Sequence, residues 1–272
     1  MDRVGIVQMT SGADPTKNLA YIKDQVIRLA GQGVQWVITP ENSLVFGRKE
    51  DYHRAAEHLG VGPIQLELGL LAKETRVWLI IGSMPIKRSN GVSTTTLVFN
   101  DRGLLVTHYD KLHMFDVDVN DAHRCYRESE TFAPGNKIES IQAPFGHLGL
   151  SICYDLRFPQ LYSELNRLGA NILLVPAAFT AVTGQAHWRS LLMARAIENQ
   201  AYVVAVNQTG VHPCGRETWG HSMVISPWGE VLLELDQSVQ NGVADIDLSV
   251  VNELRQNMPV TQHSRFQNRL LK

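Results

Sequence analysis

Gly149-Leu-Ser-Ile-Cys-Tyr-Asp-Leu-Arg-Phe-Pro159 sets an apolar strand, a lone thiol and a helix start side by side. Leu148 to Ile152 reads as a strand, and Cys153 stands where it stops. Pro159 opens a helix that carries Leu161, Leu165 and Leu168 along one side. A turn of this kind puts a side chain at the carboxyl edge of a sheet, facing a crevice. The first N–H groups of the turn are then free to meet a developing oxyanion. Taken alone, Cys153 reads more readily as a buried structural cysteine, because free thiols are among the most buried side chains.

Outward from this turn the chain alternates strands with helices in some places and pairs strands in others. Toward the N-terminus, strands are expected at Val4 to Met9, Trp36 to Thr39 and Val77 to Gly82. Asp14-Pro15 starts a helix that ends at Gly31, and Gly62-Pro63 starts a second. Val92 to Phe99 and Leu104 to Tyr109 flank Asn100-Asp101-Arg102-Gly103, a hairpin signal. Ile138 to Ala143 pairs with His147 to Ile152. Beyond the turn, Asn171 to Val175 is a strand and His187 to Asn199 a helix. Further strands follow at Tyr202 to Val206, His221 to Ser226, Val231 to Leu235 and Val243 to Ile246, and Leu248 to Asn257 closes with a helix. Leu112 to Lys137 is the one long stretch without periodicity, and such loops are usually functional or disordered. The mixture predicts an α/β fold with mixed sheets in a single domain over 1–272, not a parallel nucleotide-binding array.

Composition narrows the function. A net charge of -2 offers no nucleic-acid groove and no basic membrane patch. The N-terminal residues run straight into a strand, and no apolar run is long enough to span a bilayer, so neither a leader nor an anchor is expected. Three widely spaced cysteines form no disulfide framework and fit a reducing cytoplasm. There is no GxGxxG, no phosphate-binding lysine loop and no HExxH, so neither a cofactor nor a metal is expected.

Two more residues end strands as Cys153 does. Glu41 follows Trp36 to Thr39 through the stiff Pro40, and Lys111 follows Leu104 to Tyr109. A carboxylate, an ammonium and a thiol at strand ends would supply a base, a positive charge for an oxyanion and a nucleophile. Spacing alone leaves open whether they meet, and an isolated Glu or Lys is more often a solvated surface charge.

Pro40-Glu41, Tyr109-Asp110-Lys111-Leu112-His113 and Cys153-Tyr154-Asp155-Leu156-Arg157-Phe158-Pro159 resemble the three signature regions of the nitrilase superfamily of carbon–nitrogen hydrolases. So do Pro134-Gly135, Pro176-Ala177-Ala178-Phe179, His187-Trp188 and Ala194 to Gln200. The resemblance runs over nearly the whole chain. It implies a four-layer α-β-β-α sandwich, two mixed sheets between helix layers, and subunits that dock helix to helix as a homodimer or higher homo-oligomer. It implies Glu41 as general base, Lys111 and the Tyr154 N–H as stabilisers of the tetrahedral intermediate, and Cys153 as nucleophile. Glu128 matches a second glutamate of the family better than Glu130 does.

Cys-Tyr-Asp-Leu-Arg-Phe-Pro, Ala-Phe-Thr and His-Trp are similar to the branch that holds deaminated glutathione amidase and omega-amidase. That implies hydrolysis of the terminal amide of a small 2-oxo acid amide through a thioester, with release of ammonia. The alternatives are an omega-amidase on 2-oxoglutaramate, an N-carbamoyl compound hydrolase, and a non-catalytic scaffold of the same fold. Arg157 is a candidate for the substrate carboxylate, or for a structural salt bridge to Asp155 or to a helix end. Phe179 and Thr180 are expected to line the pocket. Arg195 and Glu198 are expected to pair with each other or across a dimer. The loop Asp116 to Tyr126 lacks the short Pro-Gly seen in many relatives, and its Arg124, with Arg127 just beyond, either reaches a second carboxylate or faces solvent.

Overall fold

A computed structural model describes residues 1–121 and 123–271; Ala122, in the polar loop, lies outside them. Side-chain alternation builds the layers. In the strand Asp2–Gln8, Val4 and Ile6 point into one apolar cluster and Val7 into another. Trp36 and Ile38 oppose Val37 in the same way, and Ile80 opposes Leu79 and Ile81. A strand buried on both faces needs a second layer on each side. The helices Pro15–Ala30 and Pro63–Thr75 cover one face through Ile22, Val26, Leu29, Leu68 and Leu71. A second sheet covers the other. On the far side of that second sheet lie Pro159–Arg167 and Ala181–Asn199, which contribute Leu161, Leu165, Trp188 and Leu192. The result is the expected α-β-β-α sandwich.

The first sheet runs in the order Gln240–Ile246, Asp2–Gln8, Trp36–Ile38, Trp78–Arg88, Gly91–Phe99, Leu105–Asp110, with Glu57–His58 added on Trp78–Arg88. The second runs Val231–Glu234, Met223–Ile225, Tyr202–Asn207, Ile172–Ala177, Gly146–Leu150, Ser140–Ala143. Both mix parallel and antiparallel pairs. Trp36 of the first sheet stacks on Phe145, in the turn between Ser140–Ala143 and Gly146–Leu150, with ring centroids 4.8 Å apart, and Trp78 meets Phe145 edge-on. Among the described residues no helix is long and apolar enough to cross a membrane.

Several boundaries differ from the sequence reading. The helix expected from His187 begins at Ala181, capped by the Thr180 hydroxyl, which accepts the Thr183 N–H. Its first turns carry no apolar period, and Gly184 is pressed against Trp219. The short helix Lys49–Ala55 buries only Tyr52 and gave no periodic signal. The polar stretch is not featureless: Asp116–Asp118 pairs with Cys125–Arg127, followed by a 3-10 turn at Glu128–Glu130. The ladder expected to reach Ile152 stops at Leu150.

Gly82 decides how closely the first sheet approaches the loop after Trp36–Ile38. A Cβ there would stand 2.2 Å from the Thr39 carbonyl oxygen and 2.4 Å from that of Pro40. Gly82→Ala is therefore expected to destabilise the fold by about 1–3 kcal/mol, the usual cost of overpacking. Denaturant unfolding checks this, and an unchanged midpoint would show that the loop gives way freely.

Candidate active site

Four segments bring their ends to one cavity of about 430 Å³. Trp36–Ile38 leads to Glu41, Leu105–Asp110 to Lys111, Gly146–Leu150 to Cys153, and Ile172–Ala177 to Ala178 and Phe179. The 3-10 turn after the polar loop adds Glu128. Buried polar side chains fix the Glu41 segment: Gln208 donates to the Glu41 carbonyl at 2.9 Å, and the Asn42 N–H donates to the Ser83 hydroxyl at 2.8 Å. The Lys111 segment is held by Gly135, whose N–H donates to the Lys111 carbonyl at 2.8 Å. A Cβ on Gly135 would stand 2.2 Å from the Asp110 carbonyl oxygen, so only glycine lets the Pro134-Gly135 loop lie this close.

Lys111 is the centre. Its Nζ donates to Glu41 Oε1 at 2.8 Å and to both oxygens of Glu128 at 2.9 Å. Glu41 Oε2 accepts the Ala178 N–H at 2.9 Å. Lys111 and Glu41 are 2% and 3% exposed, so this is a buried ammonium between two carboxylates. Burial alone would lower the Lys111 pKa; the charges of Glu128 and Glu41 outweigh it and hold the pKa well above the usual lysine value. Burial raises the Glu128 carboxyl, with Lys111 opposing and Glu41 adding to the rise. Cys153 lines the same cavity, and burial followed by the Glu41 charge pushes its thiol well above the ordinary range. The arrangement is a neutral thiol beside a carboxylate that can accept its proton, with a fixed positive charge next to both.

Cys153 itself sits at φ 49°, a left-handed conformation that side chains rarely adopt. Two residues that sequence reasoning missed as site residues hold it there. Asp155, fully buried, accepts the Ile152 N–H at 2.9 Å and the Tyr109 hydroxyl at 2.7 Å on one oxygen. Its other oxygen accepts the His113 N–H at 3.1 Å and His113 Nδ1 at 2.6 Å. Tyr109 and His113 flank Lys111, so one carboxylate ties the lysine segment to the thiol turn. Arg195 closes the turn from the other side, donating to the Leu156 carbonyl from Nε at 3.0 Å and from Nη2 at 2.7 Å. The available signal was a carboxylate two places after the thiol, directly beyond an apolar strand.

A profile described as carbon-nitrogen hydrolase matches residues 3–256. The chain belongs to the carbon–nitrogen hydrolase family. It is 44% identical to the deaminated glutathione amidase of Yersinia enterocolitica over 98% of this chain and 94% of that one. It is 39% identical to the deaminated glutathione amidase of Dictyostelium discoideum, over 98% and 95%. The crystal structure of Saccharomyces cerevisiae Nit3, described as a member of branch 10 of the nitrilase superfamily, superposes with a TM-score of 0.87 at 28% identity, covering 97% of each chain.

The other expected residues of this hydrolase divide. Tyr154, Phe179 and Thr180 line the cavity. Arg157 is not among its lining residues: its guanidinium carbon lies 5.2 Å from the Phe179 ring centroid and 5.9 Å from that of Tyr154, with nitrogens 3.4 Å from His187 Nδ1. The Arg157–Asp155 salt bridge does not form, because Asp155 faces His113 and Tyr109. Arg195 does pair with Glu198, at 2.9 Å. Glu130 is exposed, and Arg127 lines the cavity while pairing with Asp118 at 3.0 Å.

Asp155→Asn keeps the shape but gives up the charged acceptor for His113. It is expected to cost roughly 1.5–3 kcal/mol of stability and to slow turnover out of proportion to that loss. Unfolding curves read beside initial rates test this. A rate matching wild type would remove Asp155 from any part in positioning the thiol.

Proposed function

We propose that this carbon–nitrogen hydrolase cleaves the amide of a dianionic 2-oxo acid amide such as deaminated glutathione, with Cys153 as nucleophile. The observation that carries the reading is the Glu41–Lys111–Glu128 cluster beside the Cys153 thiol, at the base of a cavity with a cationic lining. Away from Lys111 that charged lining is Arg48, Lys49, Arg127 and Arg216 against Glu217. The names of the relatives at 44% and 39% identity point the same way.

The steps follow from the proton positions. Cys153 Sγ attacks the amide carbon while its proton passes to Glu41. The carbonyl oxygen becomes an oxyanion beside Lys111 Nζ and the Tyr154 N–H. Collapse breaks the C–N bond; the amine leaves with the proton from Glu41, and the acyl group remains as a thioester. Water then gives a proton to Glu41 as it attacks the thioester. Collapse breaks C–S, and the sulfur regains its proton from Glu41. Glu128 keeps Lys111 charged and directed. Phe179 and Thr180 form a wall of the cavity, backed at Phe179 by the Arg157 charge.

The leaving group needs a correction. Deaminated glutathione holds its 2-oxo acid in an amide to the cysteine nitrogen, so the amine released is cysteinylglycine. Ammonia leaves only from a primary amide such as 2-oxoglutaramate. The omega-amidase reading needs recognition of one substrate carboxylate, whereas deaminated glutathione presents two to the four lining cations.

Both substrates yield 2-oxoglutarate, and its formation compares them directly. Deaminated glutathione is expected to have the higher kcat/KM. A clear preference for 2-oxoglutaramate would make the enzyme an omega-amidase. Glu41→Gln is expected to lower kcat by roughly 10²–10⁴-fold, and Cys153→Ala to abolish turnover with the fold retained. Residual turnover in Cys153→Ala would sink the nucleophile assignment.

The pH dependence has a definite sign. Glu128 is raised, so it takes up a proton above the ordinary carboxylate range, and Lys111 then loses one of its two counter-charges. Lys111 is raised, so it stays charged well into alkali. The kcat/KM profile should therefore fall on its acid side at a pH above that of a free carboxylate. That limb should vanish in Glu128→Gln; an identical limb in the variant would assign it to another group.

A further inference from the structure

Arg216 is a partly buried cation without an acid. It stands in the turn between Thr209–Val211 and Glu217–Trp219 and lines the cavity that holds Cys153. Its Nη2 donates to the Gly47 carbonyl at 3.0 Å and to the Tyr52 hydroxyl oxygen at 2.9 Å. The Cys214 thiol, a weak acceptor, also lines the cavity. Among the described residues no carboxylate pairs with it. The other cations of the lining are different: Arg48 and Lys49 are exposed to water, and Arg127 has Asp118. Removing a guanidinium from water without a counter-ion is costly, and an unpaired buried charge calls for one.

The site is also built to hold that cation still. Its guanidinium carbon lies 4.2 Å from the Phe46 ring centroid. Phe46 in turn stacks on His212, centroids 3.8 Å apart. His212 is fixed by the Ser11 carbonyl and the Thr218 hydroxyl, each at 2.8 Å. Burial pushes the His212 pKa down to about 4, so the imidazole is neutral and does not repel the cation at physiological pH. Tyr52 accepts from Arg216, which leaves its own O–H hydrogen to donate. Burial raises its pKa and keeps that hydrogen in place.

We propose that Arg216, with the Tyr52 O–H beside it, is the anchor for a substrate carboxylate remote from the scissile amide. The inference rests on the reading that the substrate is a carboxylate-bearing 2-oxo acid amide. A carboxylate there supplies the missing counter-ion and accepts guanidinium N–H groups that no protein acceptor takes. In deaminated glutathione two carboxylates qualify, one on the 2-oxo acid and one on the glycine.

The test is calorimetric binding to Cys153→Ala protein, with and without Arg216→Met. The ligands are deaminated glutathione, its analogue with the glycine carboxylate converted to a primary amide, 2-oxoglutaramate, and butyramide, which has no carboxylate. Arg216→Met is expected to weaken deaminated glutathione by about 10- to 100-fold, and Arg216→Lys by less, with melting curves confirming that both variants fold. If only deaminated glutathione weakens, Arg216 serves the glycine carboxylate. If the analogue and 2-oxoglutaramate weaken equally with it, Arg216 serves the 2-oxo acid. Unchanged binding of every carboxylate ligand, or an equal loss for butyramide, overturns the proposal. Binding of 2-oxoglutaramate without deaminated glutathione would fell the substrate assignment alone, and Arg216 would then be judged on 2-oxoglutaramate. Binding of neither would fell both.

Discussion

A lysine ammonium out of water between two carboxylates is the constraint to which the rest of this structure answers. Desolvating one charge costs several kcal/mol, and three such charges are tolerable only when the hydrogen bonds between them are short and complete. The Nζ of Lys111 meets that condition with Glu41 on one side and Glu128 on the other. The three residues come from segments 70 and 17 positions apart in sequence. Holding them within bonding distance requires backbone to pass very close to backbone, which is why Gly82 and Gly135 lie where a side chain would collide with a carbonyl. Such a cluster contributes little net stability; its value lies in the single geometry it permits.

That geometry suits the division of labour of the proposed acyl transfer. Glu41 has one oxygen on Lys111 and the other on the Ala178 N–H, so it is oriented before any substrate arrives. Glu128 holds Lys111 from the opposite side and accepts the Phe115 N–H at 2.7 Å, which anchors the polar loop to the site. Asp155 and Arg195 act one step further out. They hold the strained turn of Cys153 against relaxation, as strained backbone at a reactive residue requires.

Much of this was legible in the chain, for a physical reason. Glu41, Lys111 and Cys153 each end an apolar run, and the alternation of those runs set the strands and therefore the edge where their ends meet. The helix Lys49–Ala55 was not legible, because Lys49, Glu50, Asp51, His53 and Arg54 leave only Tyr52 to be buried. The pairing of Asp116–Asp118 with Cys125–Arg127 was hidden because strands this short carry no alternation to read. The part played by Asp155 was hidden by distance: Tyr109 and His113 lie 46 and 42 residues before it, and they occupy the carboxylate that was one candidate partner for Arg157. Arg216 carried no local signal either, since its setting is made by Phe46, Tyr52 and His212 from separate parts of the chain.

The elevated thiol of Cys153 bears on how the enzyme ages. Peroxides attack thiolates far faster than thiols, so a sulfur kept protonated by burial and by the Glu41 charge is a poor target for sulfenic acid formation. Cys125 is exposed, and Cys214 is partly so. Under oxidant, damage would fall on these two before it reached Cys153. The burial and charge that keep this sulfur protonated thus also shield it from oxidant at rest.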